Sequence, residues 1–497
     1  MAAINLIDTT VRDGNQSLWG ATGLDTGMML KIAPVMDRVG FTAIDFLAST
    51  HMSVAVRFKQ ENPWERLRLM REAMPQTPLG FLTTGMRFIS WEVASHEVMS
   101  LAFTLLVNAG IRRFASMDPM NNIDAMLTMA ALTRKAGGDQ IVAALTFTLS
   151  PMHDDGHFAA CTQKLAASGR FDRIYLKDPG GLLTPERART LIPALKAVMG
   201  ATPLEVHSHC TIALAQFSYL EAANHGAETL HTASRTLANG TSQPPTDMVV
   251  RNLRDMGHSV DIDDAAVAEM DQYFATLAAA EGLTPGQPQE FDRSYFRHQM
   301  PGGMMGTMRR QLAETRRLHL LPQVLEEAEQ VRADLGYPIM VTPFSQVVGT
   351  VAALNVINGA RYQTLPDEVI RYVLGRFGAP TMPLNPELED RIRASKRAKE
   401  LEAEPHMASI DDLRAKLGRH LPDEEFLLRA VMPADQVDAM IAAGPARRTY
   451  DPAHKSVKTL IKKLVARTDL QTIRIEKAGM KLELTGPGAD APPTTGG

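Results

Sequence analysis

The chain has 497 residues, an apolar fraction of 45%, a formal net charge of −4 and a pI near 6.4. That length suits one large domain with a smaller companion, and the apolar fraction is ample for a core. The lack of a basic excess argues against nucleic acid or an acidic membrane surface as partner, leaving a small molecule or another protein.

Short apolar, β-rich runs are predicted at Ile4–Asp8, Phe41–Leu47, Leu79–Thr84, Ile111–Met117, Ile141–Leu149, Arg173–Asp178, Leu204–His209 and Thr229–Ala233. Helical periodicity falls between them, at Met28–Val39, Pro63–Ala73, Asn122–Ala136, Pro185–Val198 and Ala213–His225. Alternating strands and helices imply parallel βαβ units, and eight of them within about 260 residues match a closed (β/α)₈ TIM barrel. An open, doubly wound sheet is the competing fold, and the even count and spacing favour closure.

Beyond about residue 260 the strand signal fades. Helices are predicted at Asp263–Glu281, Tyr295–Arg310, Leu321–Leu335, Ser345–Asn358 and Asp367–Phe377. Residues 1–265 are therefore read as the barrel, 266–450 as a helical post-barrel domain and 451–497 as a third piece. In that piece Ser456–Arg467 reads as a basic amphipathic helix, Thr472–Ile475 and Met480–Leu484 as two short strands, and the tail from Gly486 as disordered. The two cysteines, Cys161 and Cys210, cannot build a disulfide framework and suit a reducing cytoplasm. No secretion signal and no membrane span are expected.

Barrel active sites lie at the carboxyl ends of the strands. His207 and His209 end the seventh run, and alternate strand residues face the same way, so their imidazoles point together. An H-x-H pair there more often binds metal than fills space. Asp13, just after the first run, can supply a carboxylate oxygen, although Arg12 and Asp13 can equally form a loop ion pair. Lys177 ends the sixth run. A protonated amine cannot bind metal, but a buried lysine of lowered pKa can be carboxylated, and the carbamate is an anionic ligand. A Schiff-base lysine or a cation for an anionic substrate are the other readings. Two imidazoles, a carboxylate and a carbamate suit Zn²⁺ first, with Mn²⁺ or Co²⁺ as alternatives.

Several stretches carry a resemblance. Asp8–Leu18 (DTTVRDGNQSL), Lys177–Pro185 (KDPGGLLTP), His207–His209, Gly240–Thr246 (GTSQPPT) and Met300–Gly303 (MPGG) resemble the carboxyltransferase component of biotin-dependent enzymes. That family includes pyruvate carboxylase, the oxaloacetate decarboxylase alpha subunit and the pyruvate-acting transcarboxylase subunit. Leu335–Pro338, Val341–Gln346 and Asn355–Tyr362 are similar to its post-barrel region. The resemblance spans about residues 4–445. It implies metal ligation by Asp13, His207, His209 and Lys177 as N6-carboxylysine, with Gln16 near the substrate carbonyl. It also implies that carboxybiotin delivers CO₂ to an enolised acceptor while a threonine relays the proton to biotin.

Three positions depart from the family pattern. Thr84 stands where the family has an arginine that clamps the pyruvate carboxylate, and a lost charge-assisted contact of that kind is worth about 1.5–3 kcal/mol. Arg87, three residues on, is a candidate replacement. Gly306 stands at the relay threonine's position, with Thr307 next to it. Cys210 follows the H-x-H where the family usually has Asp; it reads either as a reactive thiol or as a small buried hydrophobe. These changes predict an acceptor other than plain pyruvate.

Lys481 lies in Gly479–Leu482 (GMKL), a weak echo of a biotin-attachment motif, and too little chain follows it to complete a biotinyl domain. Biotin is thus expected on a separate carrier protein. Val457–Leu484 is similar to the leader of a bacterial biotin carrier and suggests docking of the carrier or of a biotin carboxylase subunit. The expected assembly is a homo-oligomer, a dimer, within a larger complex. A biotin-free lyase of the 3-hydroxy-3-methylglutaryl-CoA lyase type and a catalytically weakened scaffold subunit are the alternatives.

Overall fold

The computed structural model describes residues 2–90, 93–378, 380, 382–404, 408–451, 472–477 and 480–485. The eight β-rich runs become strands β1 (Asn5–Asp8), β2 (Ala43–Ala48), β3 (Leu79–Thr84), β4 (Arg113–Met117), β5 (Gln140–Thr146), β6 (Arg173–Asp178), β7 (Leu204–Ser208) and β8 (Thr229–Thr232). Each pairs in parallel with the next and β8 closes on β1, giving the expected barrel. The register sets Lys177 of β6 abreast of His207 of β7. Side-chain caps start the surrounding helices. Asn62 accepts from the backbone of Trp64 ahead of Pro63–Ala73, and Thr184 accepts from Arg187 ahead of Pro185–Met199.

The buried side chains beyond β8 divide between two main clusters. The helix Asp264–Glu281 packs into the barrel's cluster through Val267, Met270 and Phe274. A second cluster gathers Met300, Leu312, Val324, Val348, Ile370 and Leu401. Leu427, Leu428, Val437 and Met440, on the later helices Asp423–Val431 and Ala434–Ala443, rejoin the barrel's cluster. Buried Arg332 fastens the second cluster to the barrel, donating to the Leu149 carbonyl and to Thr148 Oγ1, each at 2.8 Å.

One expected helix is interrupted. Tyr295–Arg310 is divided into Tyr295–His298 and Gly302–Glu314, with Gln299 left-handed at φ 48° and Pro301 extended at ψ 150°. Pro301 lacks an N–H and its ring disfavours a helical residue before it, so it can begin a helix but not continue one. The break turns the face bearing Gly303, Met304 and Thr307 onto the barrel mouth. Thr472–Lys477 and Met480–Thr485 pair as an antiparallel two-stranded sheet, and the helix expected at Ser456–Arg467 lies outside the described residues. No helix among the described residues is long and apolar enough to cross a membrane.

Three buried histidines are held neutral. Burial, with Arg12 nearby, lowers His51 to about 4. Burial also lowers His153 to about 3, helped by His157 and Arg332, and lowers His298 to about 4. A base with a depressed folded pKa lets the unfolded chain take up protons first. Its stabilisation is therefore complete above the usual 6.5 and is lost as pH falls from there towards 4. His51 alone corresponds to roughly 3 kcal/mol by the pKa conversion. Melting temperature measured against pH is expected to hold above about pH 6.5 and to fall steadily below it; a flat profile down to pH 4.5 would contradict this.

Candidate metal-centred active site

After β1 the chain makes a single π-helical turn, Thr10–Gly14, at the barrel mouth. Asp8 anchors it, accepting from Thr10 N at 3.1 Å and Thr10 Oγ1 at 2.5 Å. Arg12 donates from Nε to Asp45 Oδ2 at 2.9 Å, and its Nη2 lies 3.1 Å from Asp13 Oδ2. That oxygen also lies 3.1 Å from His207 Nε2, 3.5 Å from His209 Nε2 and 3.4 Å from Lys177 Nζ. Asp45 is half-buried, and the other side chains of this group are buried. Burial alone would raise the Asp13 carboxyl, but the charges of Arg12 and Lys177 outweigh it and hold the group well below the usual carboxylate range. Burial lowers the Lys177 amine, and burial with Lys177 alongside lowers His207 far below the ordinary histidine value.

Hydrogen-bond partners fix which ring nitrogen of each histidine carries its proton. Buried Glu205 is held below its ordinary range, because Arg113 and His231, with Arg173 at 2.5 Å, overcome the desolvation that would raise it. Its Oε2 takes a hydrogen bond from His231 Nε2 at 3.0 Å, which leaves His231 Nδ1 as an acceptor. His207 Nδ1, 3.3 Å away, donates to it, so the lone pair of His207 is on Nε2. His209 Nδ1 lies 2.6 Å from the Thr241 carbonyl oxygen, which can only accept, so its lone pair is also on Nε2. That Nε2 is buried with no hydrogen-bond partner. Ligating atoms of Asp13, His207 and His209 all lie within 4.8 Å of one another. Two neutral imidazole lone pairs, one of them otherwise orphaned, converging with a carboxylate make a donor set suited to a divalent cation.

The site opens into a cavity of about 450 Å³ between the barrel mouth and the helix Gly302–Glu314. Asp13, Gln16, Thr84, Lys177, His209 and Thr307 all line it. Thr307 Oγ1 lies 3.1 Å from the Gly303 carbonyl. Gly306 is exposed and does not line the cavity. Arg87 is turned aside. Its Nη2 donates to the Phe377 carbonyl at 2.5 Å, and its guanidinium lies over the Phe377 ring. Cys210 is buried away from the cavity, and burial pushes its thiol up. Residue patterns alone did not single out Ser17, whose Oγ donates to Asp13 Oδ1 at 3.0 Å, nor the Glu205–His231 pair. A signal for the latter was present, because Glu205 alternates with His207 and His209 along β7 and so shares their face.

A closed parallel barrel with these groups at its carboxyl end defines an enzyme suited to polarising a small carbonyl compound. Residues 3–273 match the family model described as HMGL-like, and residues 296–473 match the one described as conserved carboxylase domain. A pyruvate carboxylase subunit of Methanocaldococcus jannaschii is 36% identical over 390 residues, covering 78% of this chain and 68% of that one. The 2-oxoglutarate carboxylase large subunit of Hydrogenobacter thermophilus is 31% identical, covering 92% of this chain and 71% of that one. A structure of the Rhizobium etli pyruvate carboxylase carboxyl transferase domain with pyruvate and biocytin superposes with a TM-score of 0.78 at 25% identity, over 89% of this chain and 78% of that one. The chain belongs to the biotin-dependent carboxyltransferases, the family of these carboxylase subunits. The lyase and scaffold alternatives are not favoured: the post-barrel region matches the carboxylase model and the relatives are carboxylases.

Gly181 couples the loop after β6 to the chain leaving β7 at His209. Its φ is +70°, and a Cβ there would overlap the His209 carbonyl oxygen. Gly181→Ala is expected to cost about 2 kcal/mol or more in stability from backbone strain and overlap. Denaturant unfolding checks this, and an unchanged midpoint would contradict it.

Proposed function

We propose that this chain is the carboxyltransferase subunit of a multi-subunit enzyme, moving CO₂ from carboxybiotin on a separate carrier to an enolisable 2-oxo acid other than plain pyruvate. The observation that carries this reading is the convergence of Asp13, His207, His209 and Lys177 at the mouth of the cavity. Lys177, buried and with a lowered pKa, is the residue proposed to carry a carbamate, N6-carboxylysine, and Zn²⁺ is the divalent ion proposed for the four ligands. When bound, such an ion acts as a Lewis acid that stabilises negative charge developing on an acceptor's carbonyl oxygen.

The chain's own residues do the rest. Gln16 reaches into the cavity, where its amide can donate to the acceptor carbonyl. Loss of CO₂ from carboxybiotin leaves biotin a base. Thr307 Oγ1 gives its proton to that nitrogen as it takes one from the acceptor carbon, and the enolate then forms its new C–C bond to CO₂. The helix from Gly302 lines one side of the cavity through Gly303, Met304 and Thr307. Neutral Thr84, together with the turning aside of Arg87, supports an acceptor that is not held as pyruvate is elsewhere in the family. Lys481 sits on an exposed position opposite Glu476 in a two-stranded sheet, which supports a separate biotin carrier. The segment 451–497 is the proposed docking element for the carrier and biotin carboxylase subunits. The two free cysteines accord with a cytoplasmic location.

The assembled complex, given ATP and labelled bicarbonate, is expected to place label in a 2-oxo acid, and avidin is expected to abolish the transfer. Thr307→Ala is expected to lower kcat by about 10²–10⁴, with acceptor KM little changed and Thr307→Ser restoring most of the rate. Avidin-insensitive transfer would refute the biotin dependence, and full activity in Thr307→Ala would refute the relay.

A further inference from the structure

A second cavity, of about 350 Å³, adjoins the first. Thr50 and Thr84 line both, so these two side chains form the wall they share. The side cavity is bounded by Ser49, Arg87 and Ser90 near the ends of β2 and β3 and by Gln436 on the returning helix Ala434–Ala443. Its rim carries exposed Arg57 and Phe58.

Three of its polar atoms are uncommitted. Ser49 Oγ, Ser90 Oγ and Gln436 Oε1 are each buried with no hydrogen-bond partner. Buried polar groups normally find partners, and three orphans from three segments around one cavity mark a place where a ligand's polar atoms would sit. Two hydroxyls can donate, and the Gln436 amide donates once turned over. The Arg87 guanidinium lies in the wall, with Asp118 close enough to offset part of its charge. Arg57 adds a second positive charge at the rim. Hydroxyl and guanidinium donors with little aromatic surface suit a carboxylate.

We propose that the side cavity receives the distal carboxylate of the acceptor, which is therefore a 2-oxo acid bearing a second carboxylate. This rests on the carboxyltransferase reading above. The 2-oxo group would sit at the metal-facing end of the first cavity, and the chain would pass between Thr50 and Thr84. A long arginine at position 84 would obstruct that passage, whereas threonine leaves it open. The missing family arginine is thus the opening through which a longer acceptor extends.

The test is calorimetric titration of the metal-loaded chain with pyruvate, 2-oxopentanoate and 2-oxoglutarate. 2-Oxoglutarate is expected to bind at least ten-fold more tightly than the other two. Ser49→Ala/Ser90→Ala should weaken 2-oxoglutarate about ten-fold and leave pyruvate unchanged, while Thr84→Arg should invert the preference. Equal binding of the three acids, tighter binding of pyruvate, or no binding of any would overturn the proposal. So would 2-oxopentanoate matching 2-oxoglutarate, since the cavity would then read length and not charge. Labelled transfer to pyruvate alone would overturn it with the carboxyltransferase reading intact. Absence of avidin-sensitive transfer to every acid would strike the carboxyltransferase reading, whatever the binding order.

Discussion

The site depends on one buried carboxylate. Asp13 Oδ2 lies within 3.5 Å of Arg12, Lys177, His207 and His209, groups drawn from the first, sixth and seventh strands or the turns that follow them. An isolated carboxylate in that position would be strongly disfavoured. The Arg12 and Lys177 cations and the Ser17 hydroxyl reverse the sign and keep it ionised. The barrel's closure is what brings β6 and β7 to β1, so the chemistry of the site is a consequence of strand order.

The histidines gain their direction from groups deeper in the barrel. Glu205, buried between Arg113 and Arg173, sets His231, which in turn sets His207. Thr241 sets His209 through a backbone carbonyl, a partner no side-chain substitution can remove. Both Nε2 lone pairs face the same point before any ligand arrives, which is the preorganisation a metal site needs. The far side of the cavity is built differently. It lies between the barrel and a helix whose start is fixed by Pro301, so its shape depends on how two packed clusters meet.

The barrel was legible because its signals are local. Period-two alternation placed His207 and His209 on one face, and β-rich runs punctuated by helical periodicity marked the eight strands within a few residues. The same locality explains what escaped. The reading of Tyr295–Arg310 as one helix followed apolar periodicity across Pro301, where the missing N–H ends the pattern. The orientation of Arg87 could not be read, since it depends on the Phe377 carbonyl almost 300 residues away in the chain. Thr307 and Gly306 are neighbours in sequence, and only the helix's rotation decides that Thr307 faces the cavity. Glu205 and His231 escaped because each reads as an ordinary strand residue until its partner is known.

The central claim is that Asp13, His207, His209 and a carboxylated Lys177 together hold one divalent ion. Titration of the metal-stripped chain with Zn²⁺, in bicarbonate-containing and in CO₂-free buffer, tests it most directly. One ion per chain, bound at least ten-fold more tightly with bicarbonate and with that gain abolished in Lys177→Met, is the predicted result. Equal affinity in both buffers would remove the carbamate, and unchanged binding in His207→Ala would remove the site itself.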